Sequence, residues 1–163
     1  DLSGSQVGYG LSLSTNVKAG ANDLIRGQLV WGAGIQNYMN DATVDLVIEK
    51  SDTTPIKADD AKALGMTRIV IFLEHKWNDK FSSNVGYSML MNDIPENYDE
   101  NTFKTGQYGI FNVVYAPVEN LMTAAELQWG ARENLDEDVN GYDGTSIVKV
   151  QFSFKYNFMA AIR

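Results

Sequence analysis

The chain contains no cysteine. That excludes disulfides, thiolate metal sites and cysteine nucleophiles together. It has a single histidine, His75, so histidine-based metal or triad chemistry has almost no material. No apolar run approaches the eighteen or so residues that a membrane helix needs. HExxH, P-loop and nucleophile-elbow patterns are absent, and the glycines are scattered without forming a phosphate-binding fingerprint. A net charge of -8 argues against a nucleic-acid partner. No catalytic residue, metal site or cofactor is therefore assigned, and the chain is not read as an enzyme. It opens at Asp1 without methionine or signal peptide, which raises the expectation of a processed chain or a portion of a longer one.

What is present is two-residue alternation. Val7, Tyr9, Leu11, Leu13 and Val17 alternate with Gly8, Gly10, Ser12, Ser14, Asn16 and Lys18. The same period marks Leu24 to about Gln36, Thr67–Trp77, Phe81–Met91, Gln107 to about Pro117 and Leu121–Arg132. It is cleanest at the end, where Val148, Val150, Phe152, Phe154, Tyr156 and Phe158 oppose Lys149, Gln151, Ser153, Lys155 and Asn157. Such alternation predicts strands with one apolar and one polar face. In Thr67–Trp77 it is imperfect, because Val70 and Phe72 fall among the polar positions. Seven spans result. Thr43–Glu49 has some strand character, and residues 58–64 suit a helical turn.

The connections alternate in length. Those near residues 20–23, 78–80 and 117–120 are short. Those near 37–64, 93–104 and 134–144 are long and acidic. Short periplasmic turns and long extracellular loops are the signature of an antiparallel transmembrane β-barrel. With that orientation, Trp77, Phe81, Tyr115, Tyr156 and Phe158 lie near the periplasmic strand ends, and Trp31 and Trp129 near the outer ends. This matches two aromatic girdles. A sheet in hydrocarbon has to close, and single-chain bacterial barrels have even strand numbers. Seven spans therefore predict the C-terminal part of a larger barrel, located in the bacterial outer membrane with lipid as its surroundings.

The pleat then assigns the lumen side to Lys18, Arg26, Gln28, Arg68, Glu74, Lys76, Asn84, Asn112, Glu126, Gln128, Arg132, Lys149, Gln151 and Lys155. Seven of these are basic and two acidic. One reading is a cationic wall that favours anionic solutes; the other is a wall that is merely solvated. Glu126 and Arg132 are candidates for a wall ion-pair network. His75 is expected to face lipid or a protein interface, in a packing role.

The stretches RGQLVWGAGIQNYMND and EHKWNDKFSSNVGYS, then NLMTAAELQWGARENLD and IVKVQFSFKYNF, together resemble the later strands of DcaP-like outer-membrane porins. The resemblance implies a trimeric diffusion channel for small hydrophilic, often anionic, solutes, with a longer chain on the N-terminal side. It matches the family's terminal aromatic at Phe158, although Met-Ala-Ala-Ile-Arg continues beyond it. Three alternatives stand beside this one. A small complete eight-stranded membrane barrel with a structural or adhesive role needs one more span, at Thr43–Glu49. A soluble β-barrel for an apolar ligand needs an apolar interior. A carbohydrate-active enzyme would have to draw on the loop carboxylates.

Overall fold

The computed structural model describes residues 5–39, 44–48, 61–95, 98, 101–135 and 144–158. The described chain is all-β. Its strands are β1 (Tyr9–Lys18), β2 (Asp23–Ala33), β3 (Leu46–Ile48), β4 (Ala61–Ala63), β5 (Gly65–Lys76), β6 (Phe81–Asn92), β7 (Phe103–Val118), β8 (Leu121–Asn134) and β9 (Thr145–Tyr156). A short 3-10 turn covers Gln36–Tyr38. Seven strands form one antiparallel sheet in the order β1-β2-β5-β6-β7-β8-β9, and β3 and β4 form a separate two-stranded ribbon.

Local chemistry explains the tight turns. The Asn78 side chain accepts hydrogen bonds from the backbone N–H groups of Lys80 and Phe81, at 2.9 and 3.0 Å. This is the self-capping that makes asparagine a turn residue. Asn120 takes the left-handed conformation, φ 67°, between β7 and β8. The register slips between Tyr115 and Val118. The slip spans Pro117, which has no N–H to give to a ladder.

The expected barrel does not form among the described residues. The sheet is open: among the described residues β1 pairs only with β2, and β9 only with β8. The physical reason lies in the strand count. In an antiparallel meander of seven strands the first and last run in the same direction. They cannot meet as an antiparallel pair, and among the described residues neither has a second partner strand, so each edge keeps a row of unpaired backbone groups. The described residues form two open antiparallel sheets, and neither is closed into the transmembrane barrel expected from the sequence.

The core is small and lies in an unexpected place. Val30, Met66 and Leu90 come from β2, β5 and β6, and they cluster with Ile35, Met39, Val47 and Leu64. By register, Val30 faces Arg68, and Arg68 faces Leu90. Directly opposed residues share a face. The core therefore sits on the face that the alternation marks as polar. The segment after β2 folds back over it. Gly34 donates its N–H to Leu64 O, and Leu64 donates to Asp45 O. Residues 61–63, expected in a helical turn, are strand β4; residues 58–60 lie outside the described chain. Of the weak strand candidate Thr43–Glu49, Leu46–Ile48 are strand β3, while Thr43 and Glu49 lie outside the described chain.

Much of the opposite face is exposed. On β9, Val148, Val150, Phe152, Phe154 and Tyr156 are 58–81% exposed. Leu11, Leu13, Trp31, Ile71 and Phe111 are also exposed on that face.

Candidate functional site

The fourteen polar residues singled out from the sequence share one face. Register runs Lys18, Leu24, Glu74, Asn84, Asn112, Glu126 and Gln151 in a single row across all seven strands. The next row holds Asn16, Arg26, Phe72, Gly86, Ile110, Gln128 and Lys149.

Part of this face is a hydrogen-bonded ladder. Asn84 Nδ2 donates to Asn112 Oδ1 at 2.8 Å, and Asn112 Nδ2 donates to Glu126 Oε2 at 3.2 Å. Gln128 Nε2 donates to the other Glu126 oxygen. Arg26 pairs with Glu74 at 3.2 Å, but both side chains are substantially exposed, so solvent screens the pair. Lys76 reaches Asp79 at 3.3 Å. Glu126 and Arg132 do not pair. Arg132 instead donates from Nε to Asn134 Oδ1 at 2.9 Å, and its guanidinium lies 5.2 Å from the centre of the Phe103 ring. Among the described residues Lys18, Lys149 and Lys155 make no ion pair. Gln28 lies on the same face, opposite Ser14 and Val70.

The aromatic candidates lie on the other face or at its margins. Trp31 meets Tyr9 edge-on at 5.8 Å, and Phe81 stacks on Tyr115 at 4.5 Å. Trp77 packs edge-on against His75 at 4.3 Å. Trp129 lies in the row of Tyr87 and Val148. Tyr156 ends β9 opposite Leu121, and Phe158 beyond it is 81% exposed. That face also carries polar groups that alternation did not reveal. Tyr87 donates its hydroxyl to Gln107 Oε1 at 2.7 Å, and Gln107 Nε2 donates to Glu133 Oε1 at 3.1 Å.

The nearest approach to a catalytic constellation is the row Asp23, His75 and Ser83, where His75 is register partner to both neighbours. His75 Nδ1 lies 2.7 Å from Asp23 Oδ1. That is the base–orienter contact of a triad. Ser83 Oγ accepts a 3.0 Å hydrogen bond from Trp77 Nε1. Among the described residues no hydrogen bond joins Ser83 to His75, and no group of three or more ligating side chains is placed to hold a metal.

Sequence reasoning missed a half-open cavity of about 430 Å³ on the polar face. Arg68, Phe72, Ser88, Leu90, Phe103 and Tyr108 contribute to its lining. The signal was there: Val70 and Phe72 break the alternation of their strand toward this face. Burial and the nearby Glu126 carboxylate raise the Tyr108 phenol above its usual 10.0, which keeps it a protonated donor.

No family model matches the chain, and neither a curated protein nor a solved structure matches it. The likeness to DcaP-like porins is therefore not upheld. The channel function goes with it, because an open sheet encloses no lumen. The outer-membrane location and the lipid and solute partners rested on a closed barrel and fall for the same reason, and the homotrimer, implied by the porin likeness, falls with that likeness. So do the small complete barrel and the soluble barrel. No helix of the described residues is long and apolar enough to cross a membrane.

Proposed function

We propose that this chain is a non-catalytic, sheet-forming association module that works through its apolar face and its two open strand edges. One observation carries the reading: the largest aromatic and aliphatic side chains of β9 stand in solvent, with Phe152 81% and Phe154 72% exposed. Contiguous apolar surface of this kind marks an interaction site. Covering a large apolar side chain is favourable by about 1.5–3 kcal/mol. The edges add direction. β9 is twelve residues long, and no proline or bulge interrupts it, so its outer row of backbone groups is a template for another strand. The partner that fits is β-structured protein, with strand added to strand and apolar face continued by apolar face. When no other partner is offered, the isolated chain associates with its own copies.

The polar ladder has a structural role in this reading, holding β6, β7 and β8 in register. The test is light scattering on the purified chain, paired with the double variant Phe152→Asp, Phe154→Asp. The reading expects concentration-dependent association that the variant shifts strongly toward the monomer. A chain that stays monomeric over the whole concentration range, with the variant behaving identically, overturns it.

A further inference from the structure

The cavity on the polar face lies on the opposite side of the sheet from the association surface. Its walls are set by two glycines. The Phe72 ring lies directly over Gly86, and the Phe103 ring lies over Gly106; a side chain at either glycine would collide with the ring. Gly86 is Phe72's register partner, so the ring crosses the neighbouring strand flat against its backbone. Gly106 is the register partner of Leu90. Between these two rows lies the row of Val70, Ser88 and Tyr108. The result is a floor bearing two hydroxyls, flanked by two rings, with buried Leu90 beside it. Arg68 lies one row away on the same face and brings a guanidinium to the lining. Arg132, packed on the outside of the Phe103 ring, adds a second positive charge nearby. Among the described residues the acidic neighbour that acts on Tyr108 is Glu126, which accepts hydrogen bonds from Asn112 and Gln128.

We propose that this cavity binds a small amphiphilic monocarboxylate. The acid group lies at Arg68 and the Ser88 and Tyr108 hydroxyls, and a short apolar tail lies between Phe72, Leu90 and Phe103. The volume falls within the range of small-molecule sites. The composition also fits, with mostly apolar walls and a few polar groups on one side. A fixed guanidinium with hydroxyl donors recognises a carboxylate through charge-assisted hydrogen bonds. A neutral alcohol of the same tail length gains the apolar contacts alone, and a protonated amine offers the Arg68 guanidinium no acceptor.

The experiment uses the full chain with sodium octanoate, octanol and octylamine as probes. Binding is read by saturation-transfer NMR and calorimetry, and circular dichroism checks that each variant folds. Octanoate is expected to bind saturably, octanol more weakly, and octylamine not at all. Arg68→Met is expected to weaken octanoate roughly tenfold, the loss of one charge-assisted contact, while leaving octanol nearly unchanged. Ser88→Leu fills the floor and is expected to abolish both. Arg68→Lys keeps the charge and is expected to retain most of the octanoate affinity. Three results overturn the proposal: no saturable octanoate binding, binding that survives Ser88→Leu in a folded variant, or equal loss of octanoate and octanol in Arg68→Met. The double aspartate variant on β9 should leave octanoate binding intact. Failure of the association reading and failure of this one are thus separable.

Discussion

The two faces of the seven-stranded sheet invert the usual arrangement. The face with the purer apolar alternation is bare, whereas the mixed face carries the only buried core among the described residues. Leu64 is 1% exposed on the mixed side and Phe152 is 81% exposed on the apolar side. The difference comes from what the chain supplies to cover each face. Ile35, Met39, Val47 and Leu64 fold back over Val30, Met66 and Leu90, and no described segment folds over β9. A clean alternation states that one face avoids water; it does not state what meets that face.

This contrast can be broken at several points. The largest effect is expected at the core. Leu64→Ala removes a fully buried side chain and should cost about 2–5 kcal/mol in a denaturant melt. Phe154→Ala, made in dilute monomer, should cost less than about 0.5 kcal/mol, as exposed substitutions do. If the two losses are equal, the apolar face is covered already and the contrast fails. Next comes the ladder. Glu126→Ala strands the amides of Asn112 and Gln128, and about 1 kcal/mol should be lost. Glu74→Gln breaks only the exposed pair with Arg26 and should cost less than about 1 kcal/mol, shrinking further with added salt.

The smallest effect is in pH dependence. The Tyr108 phenol is raised in the folded chain. Unfolded chain therefore releases this proton first, and the group's contribution to stability falls as pH rises through and above the usual tyrosine range. Tyr108→Phe should remove that part of the alkaline loss and delete a late-ionising phenol from an ultraviolet titration. A wild-type titration in which all phenols ionise together contradicts the assignment.

Much of the strand layout was legible in the sequence. Alternation located all seven strands of the main sheet, and Asn78 and Asn120 stand in its tightest turns. Closure was not legible. A barrel wall and an open two-faced sheet need the same alternation, and any up-and-down meander can alternate short and long connections. The pleat placed Lys18, Glu74, Asn84, Asn112, Glu126 and Gln151 on one face, but their spacing could not show that Asn112 bridges Asn84 to Glu126. The cavity was hidden because its floor and walls come from positions on β5, β6 and β7 that meet only through register. The exceptions at Val70 and Phe72 are its only trace in the sequence, and two apolar residues on a polar face do not by themselves specify a cavity.

The association account is tested most directly by hydrogen exchange on the two edge strands, β1 and β9, followed as chain concentration rises. The account predicts that the outward amides of β9 become protected on association, and that Phe152→Asp with Phe154→Asp abolishes the gain. Exchange at β9 that stays fast at every concentration, in a chain that remains monomeric, would contradict it.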